Sequence, residues 1–171
     1  NLLGYRLCLI KTSKEEFISN KITTKGFRSL TFVQGRGWPD VDFLKREHLR
    51  LVLGEYKYLF EFLRKDRGEC FLRSILEISH EMNNSILSEG IMVEKSHAIS
   101  YQAPMYFYVK KGNLRLKKKI ENSLEKIIDS GLYNKIFKKY YDGELDKHNY
   151  SNRKVIECGI IAVFFMNMVS D

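Results

Sequence analysis

Short apolar segments alternate with segments of helical periodicity along the first hundred residues of the chain. The strand-like segments are residues 5–11, 30–34, 49–53, 69–73 and 98–110. Apolar side chains recur at helical spacing over residues 41–48, 55–65 and 74–87. Strands that alternate with helices are typical of βαβ units. The pattern therefore predicts an α/β fold with a mainly parallel sheet and helices on both faces.

Two lysine-rich helices are predicted after this region. Apolar residues at steps of three and four predict an amphipathic helix over 114–130, and a second helix follows Gly131 over 132–141. Their apolar faces are expected to point inward. The lysines and tyrosines of this pair could also contact nucleic acid. Because the aromatics fall at core spacing, a solvated basic face is the favoured interpretation.

Composition and charge change this picture little. The 171 residues include 29 basic and 21 acidic side chains, which gives a formal charge of +8. Such a surplus raises the expectation of an anionic partner, although a solvated lysine-rich surface is the favoured explanation. No apolar run reaches the roughly 20 residues of a membrane span. No histidine falls at metal-ligand spacing, so neither membrane insertion nor a metal site is expected.

The three cysteines are far apart in the sequence and form no C-x-x-C motif. A disulfide framework or a zinc knuckle is therefore not expected. Cys8 and Cys70 lie in apolar runs, and we interpret them as small core residues.

The first candidate site is the segment Q-G-R-G-W-P-D at 34–40, between a strand and a helix. Ligands of parallel sheets bind where strand ends meet helix N-termini. Gly37 allows a tight turn, Arg36 offers positive charge, and Trp38 offers a flat ring for stacking. The alternative is an ordinary turn in which Trp38 packs onto the core. The segment is neither the dinucleotide fingerprint, which needs a third glycine, nor a P-loop.

The second candidate site is the segment F-L-R-S-I-L-E at 71–77. Ser74 and Glu77 have the spacing of a capping box, so a helix cap alone would explain them. Arg73, at the end of a strand, would suit a bidentate contact with a carboxylate or a phosphate. Both interpretations stay open from the residues alone.

Other residues that could carry chemistry give weaker indications. Tyr101 and Tyr106 could line a pocket, but core packing is favoured for this aromatic run. No serine, cysteine or histidine lies in a known nucleophile motif. Glu69 and Glu77 are a possible carboxylate pair for acid–base catalysis, although such pairs are common in surface segments.

The order of these elements resembles a known family. The run 26–74, which includes R-K-D-R-G-E at 64–69, resembles the second lobe of type 2 periplasmic solute-binding proteins of the family 3 group, associated with amino-acid ABC transporters. The segment A-P-M-Y-F-Y-V-K-K-G-N and the helices after it resemble that family's closing portion. The resemblance covers residues 1–142 and implies a periplasmic-binding-protein-like type II fold, made of the second lobe and the C-terminal part of the first. It places a second-lobe domain at 1–100, a hinge strand and helices that return to an incomplete first lobe at 101–145, and a tail at 146–171.

The resemblance implies a protein that closes around a small solute by a hinge, without catalysis or a cofactor. The residues that it places in the ligand cleft are Arg36, Gly37, Trp38, Arg73, Ser74 and Glu77. Amino-acid binders of the family commonly hold the ligand's amino group with an Asp where this chain has Ser74. The expected ligand is therefore a small polar or anionic solute, and whether it is an α-amino acid stays open.

The resemblance also implies that the chain is a fragment. A first lobe with its aromatic clamp and arginine would be missing, residues 159–171 would be foreign sequence, and half a cleft should bind weakly. The full-length protein is expected in the periplasm, with an ABC permease or a sensor kinase as partner and no nucleic acid. An enzyme or accessory domain on the same fold is the alternative. A basic nucleic-acid-binding module is less favoured.

Overall fold

The structure is a computed structural model that describes residues 2–23, 26–103 and 106–158. These residues belong to two compact units. The first consists of the chain up to Ala103 together with the segment that starts at Arg153, and the second lies within Pro104–Asn152. The segment interpreted as foreign sequence, 159–171, is outside the described residues.

A seven-stranded sheet forms the centre of the first unit. Its strands are β1 (Tyr5–Lys11), β2 (Thr31–Gly35), β3 (Arg50–Gly54), β4 (Cys70–Ser74), β5 (Ile91–Val93), β6 (His97–Ser100) and β7 (Lys154–Glu157). Their order is β3-β2-β4-β1-β6-β7, and β5 also pairs with β1. β2 is parallel to β3 and β4, and β6 is parallel to β7, whereas β1 is antiparallel to β4, β5 and β6. The predicted α/β fold is confirmed, and β1 is the strand that interrupts the parallel order.

Helices pack on both faces of this sheet, as predicted. They are α1 (Glu15–Lys21), α2 (Val41–Arg46), α3 (Tyr56–Arg64), α4 (Ile78–Met82) and α5 (Ser85–Ser88). Cys70 of β4 belongs to a buried cluster with Ile18 of α1 and Phe43 of α2. The next residue of β4, Phe71, points to the opposite face because side chains alternate along a strand. Its ring centre lies 5.5 Å from that of Phe60 on α3.

Cys8 and Cys70 are buried in the core, as interpreted, but they are joined in a disulfide, which the sequence analysis did not expect. β1 and β4 are antiparallel neighbours and bring the two Cα atoms to 5.3 Å, within the range that a disulfide spans. The third cysteine, Cys158, is buried and unbonded. Sequence spacing could not reveal the pair, because 62 residues separate its members and only the strand pairing brings them together.

β6 ends at Ser100, so the predicted strand over 98–110 is wrong beyond that residue. The pairing of β6 with both of its neighbours also stops at Ser100. Its partner on β1 is Tyr5, the first residue of that strand, and its partner on β7 is Glu157, the last residue. Residues 106–110 form no strand in the described part of the chain. Tyr106, for which core packing was predicted, is 60% exposed.

The predicted helix over 74–87 is divided in the structure. Ser74 is the last residue of β4, where it pairs with Arg6, and a turn follows before α4 begins at Ile78. Asn84 separates α4 from α5 and caps α5 with its side chain. Ser74 and Glu77 therefore do not form a capping box, because the strand continues through the position that the cap would need.

The second unit contains α6 (Leu114–Asp129) and α7 (Leu132–Lys147), which confirms two helices. Gly131 joins them in the left-handed conformation, with φ of 71°. No position of either helix is buried among the described residues, and Leu116 and Ile136 are 42% and 47% exposed. The expectation that these faces form a core is wrong for this unit, because two helices can cover only a narrow strip of each other.

Candidate functional site

Three strand ends meet at one edge of the sheet. β2 is parallel to both β3 and β4, so their carboxyl ends, at Gly35, Gly54 and Ser74, lie on the same edge. β1 runs in the opposite direction, and its second residue, Arg6, is the partner of Ser74. The turns after β2 and β4 therefore lie beside Arg6. This is the position at which α/β sheets bind ligands.

The turn after β2 places Trp38 against the end of its own strand. Gly37 has φ of 77°, a left-handed conformation that glycine adopts without strain. The indole of Trp38 covers Gly35 so closely that a Cβ there would overlap the ring. Arg36 donates its backbone N–H to the carbonyl of Gly54 at 2.8 Å, and its side chain is exposed. Both glycines of the motif thus have a structural role, and Trp38 packs on the strand.

The guanidinium of Arg73 is enclosed by aromatic rings. Its Cζ lies 4.9 Å from the ring centre of Trp38, 5.4 Å from Phe71 and 5.8 Å from Tyr56. Its Nε lies 2.8 Å from Oε1 of Glu81, and the two side chains are only 11% and 3% exposed. Arg73 therefore has a carboxylate partner within its own chain, in addition to the role that the sequence suggested for it.

Glu81, on α4, was not among the predicted site residues. The hydroxyl of Tyr56 donates a hydrogen bond to its Oε1 at 2.8 Å. Burial, followed by this hydrogen bond, raises the pKa of Tyr56 to about 12, so the phenol remains a donor at neutral pH. Nothing in the sequence separates a buried glutamate on a short helix from the many exposed ones.

Glu77 lies between two arginines. Its Oε2 is 3.4 Å from Nη2 of Arg73 and 3.6 Å from Nη1 of Arg6. This oxygen is buried and has no hydrogen-bond partner among the described residues, although 42% of the side chain is exposed. Glu77 is thus part of the sheet edge because it lies between Arg73 and Arg6, and not because it caps a helix with Ser74.

A second polar group on this edge centres on Asp40. Gln34 Nε2 and the Tyr101 hydroxyl both donate to its Oδ2, at 2.7 and 2.8 Å, and Nη2 of the buried Arg6 lies 3.7 Å from the same oxygen. Burial raises the pKa of Tyr101. Arg6 was not among the predicted site residues. The only indication of it in the sequence is that a charged residue stands inside an apolar strand.

Five charged residues and two aromatic residues lie together at this edge and form the sheet-edge cluster: Arg6, Trp38, Asp40, Tyr56, Arg73, Glu77 and Glu81. Two arginines face three carboxylates, so the cluster has one negative charge in excess when all five are ionised. Of the six site residues predicted from the sequence, the structure brings together Trp38, Arg73 and Glu77. Ser74 is fully buried in β4, and Arg36 and Gly37 are exposed on the turn.

The carboxylate pair considered for catalysis is not close in space. Glu69 precedes β4 and Glu77 follows it, and a five-residue strand spans about 16 Å. Glu69 instead accepts a hydrogen bond from the backbone N–H of Thr31 at 2.9 Å. Across 2–23, 26–103 and 106–158, no group of three His, Cys, Asp or Glu residues could hold a metal ion. No helix in these ranges is long and apolar enough to cross a membrane.

No protein-family model matches the sequence, and no curated protein is similar to it. Several solved structures are similar in fold. An arginine 3rd transport system periplasmic binding protein from Legionella pneumophila matches with a TM-score of 0.59 at 12% identity, over 82% of this chain and 62% of that one. An ancestral arginine-binding protein bound to arginine matches with a TM-score of 0.55 at 16% identity, over 80% and 60%. An ancestral amino acid-binding protein, a precursor of cyclohexadienyl dehydratase, matches with a TM-score of 0.54 at 14% identity, over 80% and 56%.

At identities of 12–16% this likeness concerns architecture, and this chain spans 56–62% of the length of the three structures. The resemblance drawn from the sequence is confirmed at that level. The chain has the periplasmic-binding-protein-like type II fold.

Proposed function

We propose that this chain forms one wall of a binding site for a small polar solute and holds the solute without covalent chemistry. The sheet-edge cluster lies where α/β sheets bind ligands. All three structural neighbours are binding proteins by name. Both observations support solute binding at this edge.

The observation that carries the proposal is a set of polar atoms without hydrogen-bond partners. Among the described residues five buried side-chain atoms lack such partners, and four of these belong to this edge: Arg6 Nε, Gln34 Oε1, Asp40 Oδ1 and Glu77 Oε2. A buried polar group that stays unpaired costs about 1–3 kcal/mol. Because folded proteins rarely leave several such groups in one place, this edge suits a polar solute that would donate to these oxygens.

The charge of the cluster favours a solute that carries an ammonium group. The excess charge is negative, and three of the four unpartnered atoms are oxygens. Arg73, which the sequence suggested as the contact for an anionic solute, is already paired with Glu81. Arg36 is exposed on the neighbouring turn and can meet a carboxylate. A zwitterion with its ammonium group at Glu77 fits both features better than a dianion does.

We infer further that the complete site has a second wall and closes by a hinge motion around the solute. The neighbours are longer than this chain, which spans 56–62% of their length. A periplasmic location, with an ABC permease or a sensor kinase as partner, is part of the proposal and rests on the resemblance of the sequence to solute-binding proteins of ABC transporters. A single wall should bind weakly, because it buries only part of the solute surface.

Trp38 makes the proposal testable in solution, because it is the only tryptophan of the chain and belongs to the sheet-edge cluster. Its fluorescence is titrated with glycine, methylammonium chloride and disodium succinate at constant ionic strength. We expect a saturable change with glycine, with a Kd of about 1 mM or weaker, and a smaller response to methylammonium. No saturable change with any probe, or the tightest binding with succinate, would overturn the proposal.

Two variants locate the binding. Glu77→Gln removes the carboxylate that is proposed to hold the ammonium group, and should weaken the glycine response about tenfold. Glu61→Gln, on the exposed side of α3, removes a carboxylate that pairs with Lys65 and should leave the titration unchanged. An equal effect of both variants would show that net charge, and not the site, governs the response.

A further inference from the structure

The surroundings of Arg73 have the composition of a guanidinium-binding site. Planar guanidinium groups stack on aromatic faces and donate N–H groups to carboxylates. Arg73 has three aromatic rings within 6 Å of its Cζ and a buried carboxylate at its Nε. We call these four partners, Trp38, Tyr56, Phe71 and Glu81, the cation box.

The walls of the cation box are held by contacts that do not involve Arg73. Trp38 packs on Gly35, and its ring centre lies 6.1 Å from that of Phe71. Phe60 of α3 lies 5.5 Å from Phe71 and 6.0 Å from Tyr56. The hydroxyl of Tyr56 donates to Glu81, which fixes the carboxylate. The box should therefore keep its shape when the side chain inside it is removed.

We propose that the cation box is a binding site for a guanidinium group and that its resident ligand is Arg73 of the same chain. While Arg73 is present, the box is closed to solutes that carry a guanidinium group. This consequence for solute choice rests on the proposed function, whereas the identity of the box does not.

Removal of the Arg73 side chain should make the box accessible from solution. The side chain of Arg73 is 11% exposed, and its Nη2 lies beside Glu77, whose side chain is 42% exposed. Truncation of Arg73 at Cβ removes the guanidinium and its stem and opens a path from this side. A small guanidinium ion can then take the place of the missing group, with the same rings and the same carboxylate around it.

The test is rescue of Arg73→Ala in the full chain by methylguanidinium, measured by thermal unfolding. The variant should unfold about 10 °C below the native chain, because it leaves Glu81 buried without its cation. About 10 mM methylguanidinium should recover about half of this loss, whereas methylammonium at the same concentration should recover much less. The native chain should gain no more from methylguanidinium than from methylammonium, because Arg73 occupies the box.

Arg67→Ala is the matched control, since Arg67 is an exposed arginine that lies 5.1 Å from a single ring, that of Phe62. It should gain nothing from methylguanidinium. The double variant Arg73→Ala, Glu81→Gln should lose the rescue, because it lacks the carboxylate of the box. If Arg73→Ala does not fold alone, its refolding yield in methylguanidinium against methylammonium gives the same readout.

Equal responses to the two cations, or rescue that persists without Glu81, would overturn the assignment. Neither outcome depends on the titration in which solutes are added and Trp38 fluorescence is followed. Failure of the cation box and failure of the proposed function are therefore separate results.

Discussion

Replacement of Glu81 by Gln tests the centre of the sheet-edge cluster. The change removes a buried negative charge that Arg73 Nε and the Tyr56 hydroxyl both approach at 2.8 Å. Hydrogen bonds to charged groups contribute about 1.5–3 kcal/mol each, and loss of one partner of a buried ion pair costs about 3–5 kcal/mol. The glutamine oxygen can still accept from one donor, and Glu77 remains near Arg73. We therefore expect a loss of about 3 kcal/mol in the free energy of unfolding.

The assay is urea unfolding followed by the emission of Trp38, which reports on the first unit. The midpoint should fall while the slope stays the same, because the surface exposed on unfolding does not change. Glu61→Gln, with its exposed ion pair to Lys65, is the control and should leave the midpoint in place. A midpoint for Glu81→Gln equal to that of the control would refute the view that this carboxylate is buried and paired.

Three further predictions concern other parts of the first unit. Gly35→Ala should cost about 1–3 kcal/mol in urea unfolding, because the new Cβ overlaps the Trp38 indole, whereas Gly143→Ala, which has open space around it, should cost nothing. Reduction of the Cys8–Cys70 disulfide, which closes a loop of 62 residues, should lower stability by about 4 kcal/mol, and an unchanged urea midpoint in reductant would contradict the bond. The pKa of Tyr56 is raised to about 12 by burial and by the bond to Glu81, so its contribution to stability is present below about pH 10 and is lost as the pH rises towards 12. Between about pH 10 and pH 12, the Tyr56→Phe variant should lose less of its free energy of unfolding than the native chain does. Equal losses would contradict the raised pKa of Tyr56.

The first four strands of the sheet, β1 to β4, were predictable because each is a short apolar run bounded by turn residues. β1 matches its predicted range of 5–11, and β2, β3 and β4 are each displaced by one residue. β5 and β7 were missed, since β5 has only three residues and β7, Lys154–Glu157, has only two apolar residues between two charged ones. The direction of β1 could not be predicted either, because it depends on pairings with strands far away in the sequence.

The candidate site was predictable only in part, for a related reason. Trp38 and Arg73 were found because strand-end turns mark the ligand edge of an α/β sheet. Asp40 and Arg6 became visible only when the fold placed them 3.7 Å apart. Arg73 also meets Glu81 inside the chain, and local sequence cannot show this contact.

The claim that the sheet edge binds a polar solute is tested most directly by an NMR titration of the ¹⁵N-labelled chain with glycine. We expect saturable shifts of the Trp38 indole N–H and of the Nε–H groups of Arg6 and Arg73, with the amides of α6 and α7 unchanged. An absence of shifts at these three groups, or shifts only at the lysine residues of α6 and α7, would contradict solute binding at the sheet edge.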